Sequence, residues 1–521
     1  MPFQVPNWRV VSSACATRIV GALVAMWLLV AQSLGQSAND PGLGWHLATG
    51  QFILSHGEVP RLDPFTFAPS PKPWIADQWL GDLLLYVTYS LGSFPLLCSA
   101  LVALFLATYW GMLFSFIHRH EDSPLVTLFT VMVAMKLAVI HFIIRPVPLS
   151  FTLFALALAA CITIYRARLF NSPPPRAQLA IFIALVGGFI VWTSTHPSFV
   201  MGLLVLGATA VFHPLEAGSK LYNFRAFLTS PLLIVFGLSC VATLINPYGI
   251  HIYDALLSQS QWTDITSEWR PIDLSQPEGT LLGLSLVMIT VAYARYPSVR
   301  ARITRLEFLL VIIFAAASLR AVRMAPYFGI VAALPLTISI SEIVRRALRR
   351  SEQTSIPRPS THARSGARVI FALAAALLAY TYTTNSVPLF NEKSARYSPS
   401  LESFPIDALG HLASIASKES PQGVLALPDW GGAITWFGAG HLRPAIDDRD
   451  TLFSLKDYQD NITLLRRGTP EAIYAVMEQT RLKYVVVEAH SLTAERLANS
   501  SRFEPVYRDG TAAAFSVKTT P

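Results

Sequence analysis

About eleven apolar stretches, each long enough to cross a hydrocarbon core of roughly 30 Å, recur along this chain and leave it few folds to choose from. They run near 16–36, 94–117, 124–144, 148–165, 178–195, 197–213, 229–246, 280–296, 306–323, 325–344 and 367–386. In lipid, the backbone N–H and C=O groups of such a stretch must be satisfied inside the segment, so each reads as a transmembrane helix. Composition agrees: 53% of the 521 residues are hydrophobic and 14% charged, where soluble domains carry about 25% charged residues. The expectation is an α-helical polytopic membrane protein. The segment WLGDLLLYVTYSLG (79–92) is too short and too punctuated to span, and reads as an interfacial helix. A basic flank and a small-residue exit make a cleaved signal peptide the alternative to a retained first helix.

With alternating spans, one set of tails and loops collects 19 lysines and arginines, among them seven arginines between Arg345 and Arg368. The opposite set holds six: Arg61, Lys72, Arg145, Arg270, Arg320 and Arg323. This positive-inside bias puts the N-terminus in the cytoplasm and the C-terminus outside. It also accounts for the net charge of +8 without a nucleic-acid partner. Cys15, Cys98, Cys161 and Cys240 all lie in or beside apolar runs, so neither a disulfide framework nor a zinc cluster is expected.

Two outward connections are long, 37–79 and 247–279, and long loops on a rigid scaffold are where function usually sits. Residues 1–386 are expected to form the membrane domain. Residues 387–521 are expected to form a small extracytoplasmic α/β domain after the linker 351–368 and the last span. Its strands are GVLALP (423–428), RPAID (443–447) and YVVVEA (484–489), with helices over 404–417 and 469–481 and a hairpin turning at Asp509-Gly510.

Asp40 stands just past the first apolar stretch, followed by His46 and then by Glu58, Asp63, Asp77 and Gln78, with Trp45, Trp74 and Trp79 between them. Asn-Asp-Pro is a good helix start, so Asp40 reads either as a helix cap or as a base. A carboxylate against an apolar wall has its pKa raised, which suits proton abstraction near neutrality. The tryptophans can anchor at the interface or stack on sugars. Lys136, about 13 Å inside its span at 1.5 Å per residue, marks a polar cavity unless it snorkels. His196, Tyr248, Glu268 and Trp269 lie in the outward connections, each readable as a solvated or interfacial residue or as part of a site. W-G-G (430–432) and D-D-R-D (447–450) read either as turn and core features or as acceptor-binding elements.

The patterns N-D-P-x-L-x-W-H-L-A-T-G, H-G-x-V-P-R-L-D-P-F-T-F and P-W-x-x-x-Q-W-L resemble the first outer loop of bacterial GT-C-type membrane glycosyltransferases, the group that includes dolichyl-phosphate-mannose mannosyltransferase-like enzymes. T-H-P-S-F (195–199), I-N-P-Y-G (245–249), S-E-W (267–269), R-x-x-R-M-A-P-Y-F (320–328) and W-G-G extend the resemblance over most of the chain. It implies a retained first helix, a bacterial inner-membrane location, and a sugar moved from a polyprenyl phosphate to a glycan, lipid or protein acceptor at the outer face. Asp40 with His46 would then be catalytic. Arg145, Arg320, Arg323 and Lys136 would bind the donor phosphate, and Trp45, Asp63, Asp77, His196, Tyr248, Glu268 and Trp269 would line the substrate site. A divalent cation beside Asp40 is the alternative to a base. Pro41 and Gly42 follow Asp40 where many such enzymes have Glu and an aromatic, which weakens the metal variant more than the base variant. A lipid-linked sugar transporter and a non-catalytic component of envelope polysaccharide assembly are the competing readings.

Overall fold

The computed structural model describes residues 19–25, 37–170, 175–215, 230–259, 262, 267–353, 399–416 and 420–518. Most of the first expected span, the last span, most of the linker 351–368 and the expected domain boundary at 386/387 lie outside these residues.

Residues 37–42 form a turn that enters α1 (Leu43–His56). Helix α2 (Trp79–Phe105) continues through a π-helical stretch, Leu106–Leu113, to His120. The segment expected as an interfacial helix, 79–92, is joined directly to the following span. The two meet at a kink where Gly92 (φ −164, ψ 23) and Ser93 (φ 55, ψ −157) leave helical geometry. The helices α3 (Pro124–Ala138), α4 (Val147–Phe170), α5 (Pro175–Thr195), α6 (Phe199–Leu215) and α7 (Pro231–Ala242) follow. After them come α8 (Ile252–Gln259), α9 (Pro277–Arg295), α10 (Arg305–Arg320) and α11 (Ala325–Gln353). Proline opens α3, α7 and α9, where its missing N–H has no partner to lose. A capping box of Thr304 and Glu307 opens α10.

The protein is a multi-pass membrane protein. Among the described residues, six helices are long and apolar enough to cross: Trp79–His120, Pro124–His141, Val147–Arg166, Pro175–Thr195, Pro277–Arg295 and Val322–Ala347. The expected span 229–246 is helical over only the 12 residues of α7, about 18 Å of rise. Thr243 and Asn246 end it by turning their side chains back onto the carbonyls of Cys240 and Thr243. Outward stripes such as Leu284, Val287 and Val291 on α9, and Ile234, Leu238 and Val241 on α7, are exposed. In water such stripes would be aggregation sites; they suit a face turned to acyl chains. Inside the bundle α11 packs on α3, α9 and α10. Lys136 is buried within this packing, and its ammonium lies 3.0 Å from Glu278 in the first turn of α9. The intramembrane cation therefore has a carboxylate counter-ion.

The C-terminal residues build a five-stranded mixed sheet in the order β2-β1-β3-β5-β4. Strands β1 (Gln422–Leu425), β2 (Leu442–Pro444) and β3 (Tyr484–Glu488) are parallel, and β4 (Phe503–Arg508) and β5 (Ala512–Val517) form the antiparallel hairpin at Asp509-Gly510. Helices α12 (Ile406–Ile415), α13 (Gly431–Phe437), α14 (Leu455–Arg467), α15 (Pro470–Thr480) and α16 (Leu492–Ala498) complete the layers. The alternation of strand and helix in the sequence is what the sheet required.

This unit sits directly on α1. A Cβ on Gly44 would lie 1.9 Å from the Gly432 carbonyl oxygen, and one on Gly432 would lie 2.2 Å from that of Pro41. The W-G-G motif is thus a backbone-to-backbone seam, which only glycine allows. Gly44→Val is expected to lower the apparent melting temperature by several degrees, since overpacking of this kind costs about 1–3 kcal/mol or more. Gly410→Ala on α12, where an added Cβ meets nothing within 4 Å, should leave it unchanged or slightly raised; a melting comparison of the two variants checks this.

Candidate functional site

Where α1, the loop after α3, the second long connection and the C-terminal unit converge, they enclose a polar cavity of about 420 Å³. Its wall holds Asp40, Trp45, His46, Asp77, Arg145, His196, Glu268, Trp269 and Arg323, all expected from sequence.

Asp40 does not cap α1 through its side chain; the N-cap position belongs to Gly42. Its Oδ1 lies instead 2.7 Å from Arg145 Nε, while its Oδ2 is buried without a hydrogen-bond partner. Burial raises the Asp40 pKa above the ordinary aspartate range even though Arg145 opposes the shift. The same guanidinium lies 3.6 Å from Asp448, so Arg145 bridges a carboxylate of the membrane part and one of the C-terminal unit.

On the adjoining wall, His46 Nδ1 and Asp82 Oδ1 share a hydrogen bond of 2.6 Å, and the Trp45 ring covers the imidazole at 3.7 Å. Trp45 Nε1 donates to Asp448 Oδ1 at 2.9 Å. Burial and the charge of Arg145 push the His46 pKa well down, and burial with Arg323 does the same for His196, so both are neutral. Opposite them, Arg323 lies over the Trp269 ring at 4.3 Å, and the Val322 N–H bonds the Arg270 carbonyl. His141 Nε2 is 3.8 Å from Glu268. Burial alone would raise the Glu268 pKa, but His141, Arg145 and Arg323 together hold it below the ordinary range. Arg145, Arg270 and Arg323 therefore share the cavity wall with the carboxylates Asp40 and Glu268.

Four further carboxyls line the cavity: Asp77, Asp429, Asp448 and Asp450. Burial and the charge of Asp450 push Asp77 up to about 8. Burial outweighs Arg145 at Asp448, also raised to about 8, and lifts Asp450 to about 6. An unfolded histidine is half neutral at about pH 6.5 and almost wholly neutral about one unit higher, so the bias from His46 and His196 fades over that range. Asp77 and Asp448 then dominate. Their folded pKa values are raised, so the stability they contribute is present at low pH and is lost as pH rises towards about 8. The melting temperature should fall across that window, and Asp77→Asn should flatten the slope. A melting series over pH, wild type beside variant, reads it.

Four expected residues stand elsewhere. Arg320 is exposed and Lys136 is paired with Glu278; neither lines the cavity. Tyr248 is a brace, its hydroxyl donating to the Pro60 carbonyl and accepting from the Ala76 N–H. Asp63 pairs with Arg449 at 2.9 Å and bonds Thr66. Arg449, 1% exposed, also meets Asp447 at 2.6 Å and lies over the Trp74 ring at 4.4 Å. The D-D-R-D run is therefore a clasp: Arg449, held by Asp447, locks onto the first long connection, and Asp448 and Asp450 line the cavity.

His141, Gln259, Trp262, Arg270, Asp429 and Tyr458 complete the wall and were not singled out as site residues from sequence. The density of charge in D-D-R-D was the available signal for Asp448 and Asp450. A divalent cation does not suit this donor set. Among the described residues no group of three or more His, Cys, Asp or Glu is arranged to hold a metal ion, and Asp40 Oδ1 is engaged by Arg145.

No protein-family model matches the chain, and no curated protein matches it. Solved structures do. The archaeal oligosaccharyltransferase AglB from Archaeoglobus fulgidus, in complex with an inhibitory peptide and a dolichol-phosphate, superposes with a TM-score of 0.64 at 13% identity, covering 93% of this chain and 70% of that one. ArnT from Cupriavidus metallidurans, bound to undecaprenyl phosphate, superposes with a TM-score of 0.56 at 13% identity, covering 98% of each chain. The fold is of the GT-C type, with a C-terminal mixed sheet added to the helical membrane part.

Proposed function

We propose that this GT-C-fold protein transfers a sugar from a polyprenyl phosphate to a hydroxyl-bearing envelope acceptor at the outer face of a bacterial inner membrane. The observation that carries the reading is Asp40: 6% exposed, with one oxygen on Arg145 and the other unpartnered in the cavity. Solved neighbours hold dolichol-phosphate or undecaprenyl phosphate, which supports a lipid-phosphate donor.

In this reading the acceptor hydroxyl gives its proton to Asp40 Oδ2 as its oxygen bonds to the anomeric carbon. The bond from that carbon to the phosphate oxygen breaks, and its electron pair stays on the lipid phosphate. Arg145, with Arg323 and Arg270 in the same cavity wall, offsets the developing phosphate charge. Trp269 fixes Arg323 by cation–π contact. His46, neutral and held by Asp82, shapes the wall beside the base.

The test is wild-type protein in nanodiscs with a panel of radiolabelled polyprenyl-phosphate sugars. Consumption of one donor, with label in an acceptor or released to water, supports the reading. Movement of lipid-linked sugar across liposomes without donor consumption would replace it with transport. Absence of turnover with any donor would leave a scaffold role.

A further inference from the structure

The proposed chemistry leaves Asp77, Asp450 and Gln259, which line the same cavity, without a task. Asp77 comes from the first long connection and Asp450 from the C-terminal unit, and Arg323 and Arg145 partly offset the burial of Asp450. Two buried carboxyls lining one cavity are unfavourable unless hydrogen-bond donors meet them. The protein supplies one donor to Asp77, Gln259 Nε2 at 3.3 Å from Oδ2.

The arrangement is nonetheless rigidly built. The Arg449 clasp anchors the residue before Asp450, Ser258 Oγ donates to the Asp450 carbonyl at 2.6 Å, and Trp74 Nε1 donates to Thr451 at 3.1 Å. Trp262 lines the same cavity, set edge-on to Tyr458 at 5.2 Å, and the Tyr458 hydroxyl donates to Asp429. A second sign of a ligand lies in the same cavity: the buried Asp40 Oδ2, with no partner in the protein. Two carboxyls, a carboxamide and an indole are the groups that read a sugar ring. The oxygens accept from neighbouring hydroxyls, and the aromatic covers the C–H face.

We propose that Asp77, Asp450 and Gln259, backed by Trp262, form the subsite that recognises a vicinal hydroxyl pair of a sugar ring, so that the C-terminal unit sets sugar specificity. The assignment rests on the glycosyl-transfer reading only for which sugar is meant, that of the donor or that of the acceptor.

The experiment compares wild type, Asp450→Asn and Asp77→Asn in nanodiscs, with the consumed donor and with analogues lacking one ring hydroxyl. Wild type should discriminate against the deoxy sugar, and the variants should lose about 10- to 100-fold of that discrimination. A rise in KM for the donor assigns the subsite to the transferred sugar; a rise for the acceptor alone assigns it to the acceptor ring. A merely structural role would lower the melting temperature and slow all sugars alike, and that result overturns the proposal, as does unchanged discrimination. Saturation-transfer NMR with simple methyl pyranosides forms a separate arm that needs no turnover. Saturation in wild type that is lost in Asp450→Asn upholds the subsite even if no lipid-linked donor is consumed, in which case glycosyl transfer alone fails. No saturation in wild type, with no discrimination, overturns the subsite.

Discussion

Asp40→Asn is expected to lower kcat by about 10²–10⁴-fold, the range that proton removal by a placed base contributes, with expression and melting temperature close to wild type. Asparagine keeps the size of the side chain and a carbonyl oxygen towards Arg145, so the wall of the cavity should hold. What it loses is the basic oxygen at Oδ2, which is buried and unpartnered in the native chain. Because the loss falls in the transition state, KM for the donor should change little. In wild type, kcat/KM should fall on the acid side at a pH above the usual aspartate range, because Asp40 must be ionised to accept a proton and its pKa is raised by burial. The measurement is initial rate against donor concentration over a pH series. A variant within about threefold of wild-type kcat would remove Asp40 from the chemistry and leave it as the partner of Arg145.

Arg449→Met is expected to destabilise the protein by about 3–5 kcal/mol, the cost of leaving buried carboxylates without their cation. The guanidinium meets Asp63 at 2.9 Å and Asp447 at 2.6 Å, and lies over Trp74 at 4.4 Å. Burial would otherwise raise the Asp63 pKa, and Arg449 with the bond from Thr66 holds it below its usual value, so removing the guanidinium leaves the cost of burying that carboxyl uncompensated. The triple variant Arg449→Met, Asp63→Asn, Asp447→Asn should recover most of the stability by removing the charges together. Denaturant or thermal melting of the three proteins checks it. A single variant as stable as wild type would mean that water reaches the clasp. Activity should not recover with stability in the triple variant, because Asp448 and Asp450 are positioned from either side of Arg449.

The legible part of the site was the part carried by short-range pattern. Asp40, Trp45 and His46 fall within seven residues, and Arg145, Arg323 and His196 stand at span ends where charge is rare. Lys136 stands apart from the cavity, paired with Glu278. Its depth in an apolar run signals a polar partner but not which one, and Glu278 is 142 residues away. Arg320 and Arg323 are equivalent in spacing terms, yet the chain turns at Ala321 and only Arg323 reaches the Trp269 ring. Tyr248 and Asp63 read as site residues because they are polar groups in a functional loop; their hydrogen bonds show them bracing that loop.

Hydrophobic length and charge asymmetry determined, from sequence alone, that this is a multi-pass helical membrane protein with a mixed sheet at its C-terminal end. Those properties are local: an apolar run of about 20 residues has few stable forms in lipid, and strand–helix alternation admits few layer orders. The tertiary structure decided that the site is shared. Asp448 and Asp450 come from more than 400 residues beyond Asp40, through a glycine seam at Gly44 and Gly432 and a buried arginine clasp at Arg449. Such contacts depend on the absence of one Cβ and the direction of one guanidinium, and neither leaves a periodic trace in the chain.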